Sequence, residues 1–94
     1  MTTTGISFDN LKTELMQDEE FRKEYEKLQP RYDVISQIIK ARKESNMTQM
    51  ELARKIGTQK SNISRLEGGN YNPSLDMLIK VAEGLGKKLV IQLK

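Results

Sequence analysis

Apolar residues recur at helical spacing through most of this chain and change to alternation only at its end. Phe8, Leu11 and Leu15 stand at i, i+3 and i+7, predicting a short helix over 8–16 with Ser7 as its N-cap; Met1–Ser7 has no such pattern and is expected to fray. Asp18 is placed to cap a second helix, with Glu19 and Glu20 near its positive end and Phe21, Tyr25 and Leu28 forming one stripe. Pro30 fits the first turn of a third helix, where its missing amide costs nothing. That helix is expected to run to about Ser45, burying Val34, Ile35, Ile38, Ile39 and Ala41 and leaving Lys40, Arg42 and Lys43 outside. Asn46 then reads as a left-handed terminator.

The most informative stretch follows, TQMELARKIGTQKSNISRL over Thr48–Leu66. Thr48 and Glu51 have the spacing of a capping box, and Leu52, Ala53 and Ile56 make one apolar stripe. Ala53 is small enough for two helices to cross closely. Gly57 stands where a helix ends in a left-handed residue. A second short helix buries Ile63 and Leu66 and turns Lys60, Ser61, Asn62, Ser64 and Arg65 outward. Short polar side chains with Lys and Arg suit base edges and phosphates.

Gly68–Pro73 is a strong loop signal, after which Ser74 caps a last helix with Leu75, Leu78, Ile79, Ala82 and Leu85 at helical spacing, ended by Gly84 and Gly86. In Lys87–Lys94, Leu89, Ile91 and Leu93 alternate with Val90 and Gln92, predicting a β-strand. A lone strand leaves its backbone groups unpaired, so it should pair with a second copy or with a partner's sheet edge. The homodimer is preferred, with Leu89, Val90, Ile91 and Leu93 as its contact residues.

Charge changes this picture by dividing the chain. Residues 1–29 hold seven acids and four bases; residues 30–94 hold six acids and twelve bases. The basic part contains the paired helices, as DNA binding requires. The acidic part would be repelled by phosphate and suits a basic protein partner or solvent. The chain has no His and no Cys, which excludes a disulfide, a thiolate nucleophile and a Cys/His metal site. Catalysis would need carboxylates or a Ser/Lys pair, and the acids sit at exposed helical positions. A binding protein is therefore expected rather than an enzyme, with no cofactor, metal or small-molecule substrate. No leader pattern and no apolar run of about 18 residues is present, so a soluble, cytoplasmic chain is expected.

The stretch TQMELARKIG-TQKSNISRLEGG resembles the helix-turn-helix of the phage-repressor-like (Cro/C1, or Xre) family, and the resemblance extends over Asp33–Gly86. It implies a helical DNA-binding domain over 33–86; with the patterns on either side, the expected fold is an all-α bundle of about six helices, with an N-terminal helical extension over 1–32 and a terminal strand over 87–94. It also implies a dimer presenting two recognition helices about 34 Å apart. By this resemblance Lys60, Ser61 and Arg65 occupy base-reading positions, with Asn62 and Ser64 beside them. Gln49 matches a phosphate-contacting position, and Gly69, Asn70 and Tyr71 are placed for phosphate contacts from the following loop. Two departures stand out. Gln59 replaces the usual Ser or Thr cap, so Thr58 is a candidate to take over and shift the helix start. Lys60 replaces a common Gln, which removes a bidentate adenine contact and leaves both Lys60 and Arg65 suited to guanine.

A plain repressor has no need of residues 7–32, whose stripe of Phe8, Leu11, Leu15, Phe21 and Tyr25 (with Tyr32) either packs on the protein's own helices or meets a partner. The order of an acidic helical lead (FDNLKTELMQDEEFRKEYEKLQP), a helix-turn-helix and a short terminal strand is similar to the HigA-type antitoxins. That resemblance implies neutralisation of a HigB toxin, a small basic ribonuclease of the RelE type that cuts mRNA on the ribosome. It further implies repression of the chain's own operon as a dimer. An acidic surface against a basic nuclease is electrostatically complementary. A repressor with no toxin partner is the alternative.

Overall fold

A computed structural model describes the backbone of residues 8–94; residues 1–7, the Ser7 cap among them, and the side chains of Phe8 and Asp9 lie outside the described residues. Five helices follow in order: α1 (Phe8–Met16), α2 (Glu19–Glu44), α3 (Gln49–Ile56), α4 (Lys60–Gly68) and α5 (Leu75–Gly84). The chain divides into two compact units, one ending at Pro30 and the other running Arg31–Lys94.

Two expectations fail in the folded chain. The second and third expected helices are one, because α2 continues through Pro30. Proline in a helix interior removes one hydrogen bond and crowds the carbonyl four residues back, at a cost of about 3 kcal/mol. Residues 26–30 are all exposed, so water can reach the Glu26 carbonyl that Pro30 leaves without a donor. The terminal strand is absent: residues 87–94 have no regular structure, and Val90, Ile91 and Leu93 are exposed, Leu93 by 94%. Alternation marks a sequence able to form a strand, but a strand needs a neighbour for its amides and carbonyls. No described residue supplies one.

In the N-terminal unit, α2 begins at the expected cap, where the Phe21 N–H donates to Asp18 Oδ1 at 3.0 Å. Phe21 and Tyr25 are half-buried with ring centroids 6.0 Å apart, and Lys12 Nζ lies 4.9 Å from the Tyr25 centroid. Leu11, Leu15 and Leu28 are exposed. The ion pairs Lys23–Glu19 and Lys27–Glu24 stand in solvent and contribute a few tenths of a kcal/mol at most.

The core belongs to the second unit. Ile38 of α2, Leu52 and Ala53 of α3, Ile63 and Leu66 of α4, and Val81 and Leu85 at the end of the chain's last helix form it. Val34, Met47, Ile56, Tyr71 and Leu78 pack around them. On α5 the buried side is Val81 and Gly84 rather than the whole expected stripe; Leu75 is 55% exposed and Ile79 is also exposed. Gly84 is needed for its size. A Cβ there would run into Ile56 Cγ2 and come 3.2 Å from Leu52 Cδ1, so α5 meets α3 at a distance only glycine allows.

Helices α2, α3 and α5 end alike. After each, a left-handed residue (Asn46, Gly57, Gly86) donates three residues back, and the residue following it donates five back. This Schellman arrangement satisfies the last carbonyls and turns the chain sharply. It is what brings α4 back against α3.

Candidate nucleic-acid interface

The interface is built on α3, the Gly57 turn and α4. The capping box is present in both halves: Glu51 N–H donates to Thr48 Oγ1 and Thr48 N–H donates to Glu51 Oε1, each at 3.0 Å. Hydrogen bonds from the Thr48 backbone N–H and then the Thr48 hydroxyl hold the Glu51 carboxyl below its ordinary range. Gly57 takes φ 77°, and Thr58 N–H donates to Ala53 O at 2.8 Å across the turn. Ala53 is buried, as a close crossing of α3 and α4 requires.

The start of α4 does not shift. Gln59 is its N-cap by backbone conformation and makes no side-chain cap bond. Thr58 does not replace it. Its hydroxyl instead accepts from Asn62 Nδ2 at 2.8 Å. Ile63 and Leu66 are fully buried and fix the rotation of α4. Lys60, Ser61, Ser64 and Arg65 are accordingly exposed, with Asn62 half-buried beside them. Arg65 Nη1 donates to Asn62 Oδ1 at 3.4 Å, so Arg65, Asn62 and Thr58 form a hydrogen-bonded row along the outer face. Lys60 and Ser64 have no polar partner among the described residues. One face of a helix thus carries two cations and several free or loosely held donors, a surface suited to base edges and phosphate oxygens.

Behind this face lies a feature that short-range spacing did not reveal. Arg42, expected to point outward from α2, is only 12% exposed and pairs with Glu67 of α4, which is 6% exposed. Arg42 Nε donates to Glu67 Oε2 at 2.7 Å and Nη2 to Oε1 at 2.9 Å, a two-pronged pair; Nη1 donates to Met47 O at 2.8 Å. Gln49 Nε2 donates to the same Glu67 Oε1 at 3.0 Å. Burial pushes the Glu67 carboxyl up, but the hydrogen bonds from Arg42 and Gln49, with the charges of Arg42 and Lys43, hold it below its ordinary range. The Glu67 bond raises Arg42 against the opposing effect of burial. Gln49 is therefore tethered by one N–H, and its carboxamide retains a second.

The loop after α4 is also fixed. Gly69, at φ 80°, ends α4, and Arg31 of α2 donates to Gly69 O and to Asn72 Oδ1. Asn70 is exposed, whereas Tyr71 is half-buried and packs against the core. The structure thus brings Gln49, the outer face of α4 and the loop into the one compact unit Arg31–Lys94. The candidate residues Leu11, Leu15, Phe21 and Tyr25 belong to the other unit. The dimerisation candidates Leu89, Val90, Ile91 and Leu93 lie in the irregular terminal segment, with Leu89 half-buried. Among the described residues no helix is long and apolar enough to cross a membrane.

Comparison with known proteins agrees with this architecture. The family model described as "Helix-turn-helix" matches residues 38–91. An uncharacterized HTH-type transcriptional regulator of Archaeoglobus fulgidus is 46% identical over 44 residues, covering 47% of this chain and 62% of that protein. A similarly described regulator of Haemophilus influenzae is 29% identical over 87 residues, covering 93% of this chain and 85% of its own length. Among solved structures, a toxin-antitoxin module from Streptococcus pneumoniae matches with a TM-score of 0.59 and 30% identity, covering 95% of this chain and 93% of that one. The chain belongs to the DNA-binding helix-turn-helix family.

Proposed function

We propose that this chain is the antitoxin of a toxin–antitoxin pair. In this reading it binds and neutralises a HigB-type toxin, a RelE-like ribonuclease acting on the ribosome, and represses its own operon as a dimer. The observation that carries the reading is the extent of the likeness to the Streptococcus pneumoniae toxin-antitoxin module. That likeness covers 95% of the chain, whereas the helix-turn-helix model begins only at residue 38. The acidic unit before Arg31 is therefore part of what the two chains share. Its exposed Leu11 and Leu15, with the half-buried Phe21–Tyr25 pair, give an apolar strip among acids that suits a basic protein. Dimer contact is assigned to the apolar residues of the terminal segment, Leu89, Val90, Ile91 and Leu93.

Co-expression with the neighbouring gene tests this directly. A complex with a basic protein of roughly 100 residues, lost in a Phe21→Asp/Tyr25→Asp variant that still binds DNA, is the expected outcome. A chain that purifies alone from its native operon, with that variant still protecting cells, would remove the toxin-binding surface assigned here. A chain that purifies alone and gives cells no protection would leave the alternative, a repressor without a toxin partner; the Haemophilus influenzae relative, matched over 93% of this chain, is described only as a transcriptional regulator.

For the DNA half, Lys60, Ser61 and Arg65 are proposed to read base edges, with Asn62 and Ser64 beside them. Gln49, Asn70 and Tyr71 are proposed to meet the backbone. Arg65→Ala is expected to weaken specific binding by about 1–3 kcal/mol and to relax one position of the site. A binding scan over single-base variants of the upstream sequence checks this, and an unchanged profile would exclude Arg65 as a reader.

A further inference from the structure

We propose that Arg31 is a positioning residue that shapes the loop between α4 and α5 into a phosphate contact. The inference rests on the reading of that loop as facing the DNA backbone. Arg31 lies on α2 in the same compact unit as the loop, 38 residues from Gly69 in sequence and 41 from Asn72. Its Nη1 donates to Gly69 O at 3.5 Å and its Nη2 donates to Asn72 Oδ1. A planar guanidinium fork bridging two acceptors three residues apart fixes the chain between them, which a lysine ammonium on a flexible stem does less well.

The segment held in this way has donors to offer. Gly69 takes a left-handed conformation directly after helical residues, the backbone sequence that turns successive N–H groups toward one concave side. The Gly69 N–H is used, donating to Leu66 O. Among the described residues the N–H groups of Asn70, Tyr71 and Asn72 donate to no protein acceptor. Tyr71 packs its ring against the core and so anchors the middle of the loop, while Asn70 is exposed at its tip. Without Arg31 the two ends of this segment would lose their only hydrogen-bonded tie to α2 among the described residues. Arg31 is thus assigned an indirect role: two of its N–H donors hold the loop, and the loop's amides meet the phosphate.

The test measures binding of the full chain to two duplexes of equal length across a salt series. One carries the sequence upstream of its own gene and the other is of mixed sequence. Arg31→Ala and Asn72→Ala are each expected to weaken both duplexes by about tenfold, to reduce the slope of log affinity against log salt by about one, and to leave the preference between duplexes unchanged. Arg31→Lys should fail to restore binding, and the Arg31→Ala/Asn72→Ala double variant should be no weaker than either single one. Restoration by lysine would mean that only the charge matters and would overturn the proposal, as would additive losses or wild-type binding by both single variants. Asn72→Ala carries the same expectation should Arg31→Ala not fold. Failure of the wild-type chain to bind either duplex in a salt-dependent manner would instead remove the DNA reading on which the proposal stands.

Discussion

Replacing Glu67 with alanine is expected to destabilise the protein by about 3 kcal/mol, because it leaves the largely buried Arg42 guanidinium without its counter-charge. The loss is large against a typical folding free energy of roughly 5–15 kcal/mol. In a domain of this size it should lower Tm by about 15 °C or more. Arg42 Nη1 would keep the Met47 carbonyl, but Nε and Nη2 would lose theirs, and Gln49 would lose the acceptor that orients it. The apolar pair Arg42→Met/Glu67→Leu should recover much of the stability while leaving Gln49 untethered, since buried ion pairs gain little over well-packed hydrophobic substitutes. Protonation offers a milder form of the same change. The folded Glu67 carboxyl lies below its unfolded value, so its contribution is complete above about pH 4.3 and is lost as pH falls through the folded value. Urea unfolding of Glu67→Ala at neutral pH decides the matter: a loss under about 1 kcal/mol would show that the pair does not hold the fold.

The second large effect is expected at Gly84. Gly84→Val should cost about 3 kcal/mol, the upper part of the usual range for overpacking, since even a Cβ would strike Ile56 Cγ2 and crowd Leu52. Gly84→Ala should cost less, because alanine's better helix propensity offsets part of the crowding, by about 1 kcal/mol. The diagnostic is a cycle with Ile56→Ala. Removing the Ile56 branches gives the new side chain room, so the double variant should be clearly more stable than the sum of the single losses predicts. Strict additivity would place the cost of Gly84→Val somewhere other than the α3–α5 contact.

Much of the scaffold was legible in the sequence because it depends on neighbours in the chain. The capping box of Thr48 and Glu51, the Asp18 and Ser74 caps, and the left-handed ends at Asn46 and Gly57 are fixed by spacings of a few residues, and all are present. The outward set on α4 likewise follows from the interval between Ile63 and Leu66. What stayed hidden is non-local. Arg42 and Glu67 are 25 residues apart, and an arginine beside Lys43 on an amphipathic helix carries no mark of a buried partner. Arg31 gives no sign of its bonds to a loop about 40 residues away. Pro30 misled in the opposite way: the rule that proline starts helices is local, while its tolerance inside α2 depends on the exposure of residues 26–30. The alternation of Leu89, Ile91 and Leu93 showed which structure the segment could adopt, not whether a neighbour was there to complete it.

The burial pattern of α4 has a consequence for how such a protein changes over generations. Lys60, Ser61 and Ser64 touch nothing on which the core depends, so substitutions there should alter stability by no more than about 0.5 kcal/mol. Ile63, Leu66 and Glu67, on the same nine-residue helix, have no such freedom. Innovation and constraint are therefore interleaved residue by residue. A lineage can explore new recognition surfaces through three or four side chains while the frame that aims them stays fixed.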